Sequence, residues 1–253
     1  MITFTRLGKY GRLGNQLFQI ASTIGIANKN KTTYSFPEWE YSKYLKIDLP
    51  ILDLKVNYSL SHNDFCYKDI LINTHGVTDI FGYLQSYKFF KNINANEIFE
   101  LKEDFLSYRN YYDMSNSVSI HVRRTDYLEN KHVYPILSID YYKKALEELK
   151  KKEVEISKVY VFSDDIDWCK SNFDVIENIF FISEYNEFIE LHMMSECSHN
   201  IISNSTFSWW ASFLNKNDAK KIICPNTWFN KCDEIKNFVY DDLIPNEWIK
   251  IKI

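Results

Sequence analysis

In the second half of this 253-residue chain, short apolar runs alternate with helical patterns, and a polar cluster follows several of the runs. Residues 117–122, 158–162, 179–182, 200–203 and 221–224 read as strands, with helical spacing over 138–151, 167–172, 186–197 and 206–214. Repeated β-α units of this kind require a parallel sheet covered on both faces. In such a sheet the loops beyond the carboxyl ends of the strands form the ligand crevice. That rule brings three distant clusters to one edge: His121-Val-Arg123-Arg124-Thr-Asp126-Tyr127, Ser163-Asp164-Asp165 and Asn204-Ser205-Thr206.

The first half is less regular. Residues 1–5 read as a strand, followed by a loop rich in Gly and Arg. Over 15–28, Leu17, Ile20, Ala21, Ile24 and Ala27 give a helix one apolar face, and Asn15 is a candidate to cap it. Residues 32–36 and 77–81 read as strands, ended by Pro37 and Gly82, while 38–76 support no firm assignment. Ser138 is a plausible cap for the helix that follows it. A polar stretch at 107–117 separates two α/β units, 1–110 and 115–253. The expected architecture is two Rossmann-like lobes facing across a cleft.

A net charge of −4 provides no general basic field, which argues against a nucleic-acid backbone as partner and leaves anion binding to local clusters. Aromatic residues make up 17% of the chain, a richness that suits sugar faces and a buried core equally well. The five cysteines, at 66, 169, 197, 224 and 232, have no metal-ligand or redox-pair spacing, so reduced thiols are expected. The start, Met1-Ile-Thr-Phe-Thr-Arg6, lacks the apolar run of a secretory signal, and no stretch reaches transmembrane length. The expectation is a cytoplasmic protein, or one peripheral at the inner face of the membrane.

Each cluster admits more than one reading. Arg123 and Arg124 leave a strand end, where planar guanidiniums match phosphate oxygens in a bidentate way, or they form a surface pair bridged to Asp126 or Glu129. Asn204, Ser205 and Thr206 open a helix whose N-terminus is a ready anion site, or Ser205 or Thr206 simply caps it. Asp164 and Asp165 suit ribose or guanine contact, helix capping by Asp164 or, less well, a divalent cation. Gly11, Gly14, Asn15 and Gln16 form either a close-approach loop or an ordinary tight turn. Together the clusters suit a sugar nucleotide, and hence a transferase that binds a diphosphate.

With these residues assembled, the chain resembles the α-1,2-fucosyltransferase family, glycosyltransferase family 11. The resemblance rests on Gly11-Arg-Leu-Gly-Asn-Gln-Leu-Phe-Gln19, Gly82-Tyr-Leu-Gln-Ser86, His121-Val-Arg-Arg-Thr-Asp-Tyr127, Phe162-Ser-Asp-Asp165 and His199-Asn-Ile-Ile-Ser-Asn-Ser-Thr-Phe-Ser-Trp-Trp210. It implies a GT-B-like fold and metal-independent, inverting transfer of L-fucose from GDP-β-L-fucose, with no further cofactor. The acceptor would be a galactose-containing oligosaccharide or lipid-linked glycan in bacterial surface glycan synthesis. By position, the resemblance gives Arg123 the β-phosphate and sets His121 beside the nucleotide. It completes the diphosphate site with Ser205 and Thr206 and brings Asn15 to the donor from the opposite lobe. Gly14, Gln16, Arg124, Asp164 and Asn204 join this donor set, and residues 1–110 become the acceptor-side lobe. Direct displacement needs a base near the acceptor hydroxyl unless the leaving phosphate takes the proton. Asp126 is the first candidate for that base, or else an orienter of Arg124 or of the substrate. Fucosyl transfer in α-1,3 or α-1,6 linkage, and a glycan-binding protein without turnover, are the competing expectations.

Overall fold

The structure, a computed structural model, describes all residues except 63, 64, 74, 174 and 175. The chain forms two units: Met1–Phe105 with Phe238–Asn246, and Leu106–Asn237 with Glu247–Ile253. Residues 238–246, expected with the second lobe, therefore belong to the first. Asp242 ties them there, accepting the Tyr67 backbone N–H at 2.8 Å and pairing with Lys88.

The first unit contains β1 (Ile2–Thr3), α1 (Leu13–Lys29), β2 (Tyr34–Ser35), β3 (Tyr58–Ser61), β4 (Thr78–Phe81) and α2 (Ala95–Ile98). Its strands are parallel in the order β2-β1-β4-β3. Strand β3 lies in the stretch that sequence left unassigned. It is an edge strand, three of whose four residues are exposed, so no apolar alternation marks it. Helix α1 departs from the one-faced expectation, because Gln16, Gln19, Ser22 and Thr23 are buried along with its apolar residues. Gln16 and Gln19 bond to the loop that precedes the helix, and the segment after β4 covers Ser22, whose Oγ donates to the Leu84 carbonyl at 3.0 Å. At Gly25 the contact is backbone to backbone: an added Cβ would overlap the carbonyl oxygen of Phe89.

The second unit contains β5 (Ser117–Val122), α3 (Thr125–Glu129), α4 (Ile139–Lys151), β6 (Lys158–Ser163), α5 (Ile166–Asn172) and β7 (Ile179–Ile182). It continues with α6 (Glu187–Glu196), β8 (His199–Ile201), α7 (Thr206–Phe213), β9 (Ile222–Pro225) and β10 (Ile249–Ile251). All its strands are parallel, in the order β10-β9-β8-β5-β6-β7. The alternating pattern of the sequence is thus realised element by element, with β5 buried along its whole length. Val118, Ile120 and Val122 pack with Val159, Val161, Tyr141, Tyr142, Leu149 and Ile201 in one apolar core. Ser138 stands at the start of α4 in extended backbone but makes no side-chain capping bond. The order runs outward from β5 through β6 to β7 and from β8 through β9 to β10. A crevice opens where strand order reverses in this way, here between the carboxyl ends of β5 and β8.

Both halves of the sheet therefore point their chemistry-bearing loops the same way. The five cysteines are free thiols, and no helix among the described residues is long and apolar enough to cross a membrane. Gly25→Ala is expected to destabilise the protein by about 1–3 kcal/mol, because the overlap is with backbone that cannot rotate away. A lowered urea midpoint with an unchanged slope would register this.

Candidate active site

Arg123 follows β5 directly, and its side chain is 10% exposed. Its Nη2 lies 2.7 Å from Asp126 Oδ1 and its Nη1 3.1 Å from Asp164 Oδ2. Asp164 also accepts the Arg124 backbone N–H at 2.9 Å and the Thr125 hydroxyl. One carboxylate thus holds the whole turn of Arg123, Arg124 and Thr125. Arg124 points elsewhere: its Nε donates to Asp165 Oδ2 at 3.0 Å, and its guanidinium sits 4.0 Å from the centre of the Trp168 ring.

Two expected pairings are exchanged. Asp126 pairs with Arg123 rather than Arg124, because it lies in the first turn of α3 and reaches back three residues. The contact is an ion pair off the N–H axis, since Asp126 Oδ1 is buried yet accepts no hydrogen bond. Asp165, not Asp164, caps α5, accepting the Trp168 N–H at 3.3 Å. With side chains only 10% and 15% exposed, Arg123 and Arg124 are not a solvated surface pair. Two guanidiniums and three carboxylates share this corner, which leaves it one formal negative charge within one unit. Among the described residues no group of three or more His, Cys, Asp or Glu could hold a metal ion.

Across the crevice, Ser205 is the N-cap of α7, its Oγ accepting the Phe207 N–H at 3.4 Å, and Thr206 is the first helical residue. Asn204 is buried. Its Nδ2 donates to the carbonyls of Pro135 at 3.3 Å and Trp228 at 3.1 Å. The Asn204 carbonyl accepts the Tyr127 hydroxyl at 2.8 Å, which joins the start of α7 to the arginine turn. Tyr127 in turn stacks on Tyr134 at 4.2 Å. Burial and the neighbouring Tyr134 raise the Tyr127 phenol well above its ordinary pKa, so it stays a donor. His121 is buried, with Nδ1 2.9 Å from Ser203 Oγ and its ring 5.2 Å from Phe207.

In the first unit, Gly14, Asn15 and Gln16 lie in the first turn of α1. Arg12 occupies the N-cap position without a side-chain bond, so Asn15 is not the cap. Asn15 Oδ1 instead accepts Gln85 Nε2 at 2.8 Å. Gln16 donates to the Gly11 carbonyl at 2.9 Å and accepts Trp39 Nε1 at 2.7 Å, and Gln19 donates to the Tyr10 carbonyl at 2.8 Å. These amides fix the loop that precedes the helix. Gly11, with φ 80°, has no room for a side chain, because a Cβ there would overlap Asn15.

Sequence reasoning brought His121, Arg123, Arg124, Asp126 and Asp164 together with Asn204, Ser205 and Thr206, and all lie in the second unit. It missed the supporting residues Ser203, Trp168 and Gln85. Trp168 carries no signal beyond its helical position. Gln85 stands in the Gly82–Ser86 motif, where only the fold reveals Asn15 as its partner.

Residues 3–252 match the family model of glycosyl transferase family 11. The O-antigen biosynthesis glycosyltransferase WbnK of Escherichia coli is 27% identical, over 87% of this chain and 93% of its own. An alpha-1,2-colitosyltransferase of Escherichia coli is 26% identical over 96% of this chain and 97% of its own. A galactoside alpha-(1,2)-fucosyltransferase 1 of Leontopithecus chrysomelas is 24% identical over 95% and 73%. Among solved structures, the fucosyltransferase NodZ from Bradyrhizobium superposes with a TM-score of 0.54 at 12% identity, over 84% of this chain and 92% of that one. POFUT1 in complex with GDP-fucose gives 0.53 at 12% identity, over 87% and 96%. The fold is thereby α/β of the GT-B-like class.

Asp164→Ala is expected to cost ~3 kcal/mol, since it strands the nearly buried Arg123 guanidinium and frees the turn. Asp126→Ala, whose side chain is 45% exposed, should cost less than ~1 kcal/mol. Urea unfolding of the two variants side by side tests this ranking.

Proposed function

This chain belongs to glycosyl transferase family 11, and from that premise we propose that it transfers L-fucose from GDP-β-L-fucose to a hydroxyl of a galactoside. The proposed reaction inverts the anomeric carbon, forms an α-1,2 linkage and serves bacterial surface glycan synthesis. One observation carries the reading: the Arg123 guanidinium, fixed by Asp164 at the carboxyl end of β5, beside the strand-order reversal that α7 also borders. The α-1,2-linking names of two similar proteins support the linkage, and the galactoside named by one of them supports the acceptor.

In the proposed mechanism the diphosphate docks between Arg123 and the N-terminus of α7. Negative charge grows on the diphosphate as the glycosidic bond breaks. A guanidinium already oriented, together with backbone N–H groups at the helix start, stabilises that charge with little reorganisation. Arginine has five N–H donors, so the contacts to Asp126 and Asp164 leave others for phosphate oxygens. Its 2.7 Å contact commits Asp126 to the Arg123 guanidinium, which favours orientation of Arg123 over base catalysis as its role.

A second reading is favoured by the similarity to the colitosyltransferase: the same linkage with colitose as the sugar moved. A screen of fucosyl and colitosyl donors against a panel of β-galactosides, with linkage analysis of the product, decides between them. Transfer to none of the panel from either donor would overturn both.

Arg123→Lys should lower turnover by roughly tenfold to a hundredfold, nearly as much as Arg123→Ala, because the forked geometry is lost although the charge remains. Wild-type turnover in the lysine variant would reduce Arg123 to a simple cation. GDP binding and transfer should both persist in EDTA, and restoration of a chelated enzyme by Mn²⁺ would return Asp164 and Asp165 to the role of metal ligands. Asp126→Asn should weaken GDP-fucose binding and leave measurable transfer. Transfer abolished at normal donor affinity would instead make Asp126 the base.

A further inference from the structure

Tyr127 lies in α3, next to Asp126, and touches both sides of the corner where the proposed mechanism docks the diphosphate. Its hydroxyl donates to the Asn204 carbonyl at 2.8 Å, just ahead of α7. Its ring lies under Arg123, with the guanidinium carbon 5.6 Å from the ring centre, within the range of a cation–π contact. Arg123 is therefore restrained three ways: Asp126 and Asp164 pair with its nitrogens, and the Tyr127 ring lies beneath it. All of these residues belong to one unit.

The bond to Asn204 falls on a carbonyl outside the helix ladder. The first carbonyl of that ladder is Ser205's, which accepts the Trp209 N–H at 3.0 Å. The Asn204 amide meanwhile donates to the carbonyls of Pro135 and Trp228, so three segments fasten the start of α7. The tyrosine end is fixed as well. Tyr134 stacks on Tyr127 with planes 11° from parallel, and Phe229 packs on Tyr134 at 5.7 Å. Asn230 ties these stretches together, its backbone N–H donating to the Val133 carbonyl at 2.7 Å and its Nδ2 to the Lys131 carbonyl at 2.9 Å. Both ends of the bridge are thus anchored.

Electrostatic stabilisation of a leaving group depends on donors that stand at the right spacing before the bond breaks. One side chain that grips both donor groups fixes that spacing. We propose that Tyr127 is a positioning residue for the departing diphosphate: its ring holds Arg123, its hydroxyl holds the start of α7, and together they set the gap between them. The proposal rests on the reading that Arg123 and α7 hold the diphosphate, and it adds how the two are kept in register. Without the hydroxyl, the start of α7 can shift relative to Arg123. A flexible diphosphate in the ground state follows such a shift, whereas the more highly charged transition state loses stabilisation. The loss therefore falls on turnover and not on nucleotide affinity.

The test is a double-mutant cycle of Tyr127→Phe and Arg123→Lys. It is read by the single-turnover rate with the sugar donor that the screen selects, and by the calorimetric affinity for GDP. Tyr127→Phe should slow transfer by at least about threefold, the scale of one hydrogen bond, with GDP affinity unchanged. In the Arg123→Lys background the same change should cost much less, because the guanidinium whose placement it serves is gone. Equal losses in the two backgrounds would mean general support of the fold and overturn the proposal. So would an unchanged rate, or a GDP affinity that falls as far as the rate. Far-UV circular dichroism checks folding. Tyr134→Leu, which removes the ring stacked on Tyr127, replaces Tyr127→Phe with the same outcomes if that variant does not fold. Phosphorus NMR of bound GDP needs no turnover: the β-phosphorus resonance should move between wild type and Tyr127→Phe, and an unmoved resonance overturns the proposal. Arg123→Lys at the wild-type rate fails the diphosphate reading and this proposal with it. Tyr127→Phe at the wild-type rate beside an impaired Arg123→Lys fails the positioning role alone.

Discussion

Asp164 joins three partners on one turn: the Arg123 guanidinium, the Arg124 backbone N–H and the Thr125 hydroxyl. Its place there follows from strand register. Val122 pairs with Ser163 across β5 and β6, so the next residue on each strand, Arg123 and Asp164, emerge side by side. A shift of one residue would turn the side chains of one strand to the opposite face and separate the pair. Taking both charges largely out of water is costly, and a lone buried ion pair often does not recover that cost. Here the added hydrogen bonds to Asp164 offset the desolvation and make the turn rigid.

The rest of the second unit builds outward from that turn. Tyr127, one helical turn further on, donates to the Asn204 carbonyl and so couples the arginine turn to the start of α7. The two loops meet because β5 and β8 are neighbours, with Ile120 opposite Ile201, at the reversal of strand order. His121 and Ser203 make a second side-chain contact between the two segments, at 2.9 Å. Donors are thereby gathered from loops some eighty residues apart without a glycine-rich phosphate loop.

The first unit uses amides for the same purpose. Gln16 and Gln19 are buried on α1 because their side chains satisfy carbonyls of the loop that precedes it. Their hydrogen bonds offset the cost of burying polar groups and fix that loop to the helix. Gly25 lets the segment after β4 lie directly on the helix backbone, and the turn at Gly82 and Leu84 then reaches Asn15 through Gln85.

Residue pattern alone determined the parallel α/β character of the second unit, because short strands with apolar residues alternate with helices there, although β5 and β8 also bury Ser117, Ser119, His121, His199 and Asn200. It also determined which residue types would crowd the crevice, since the motifs follow those strands directly. It could not identify β3, whose exposed edge needs no apolar alternation, or the three-residue β10. Nor could it show that residues 238–246 join the first unit, because Asp242 finds Lys88 and Tyr67 only in space. The partner of each charged side chain was likewise left to tertiary structure. Asp126 takes Arg123, Asp165 caps α5, and Asn15 gives up capping to meet Gln85. Burial is a local preference that sequence periodicity records, whereas a hydrogen bond or ion pair depends on strand register and loop path, which the packed chain alone decides.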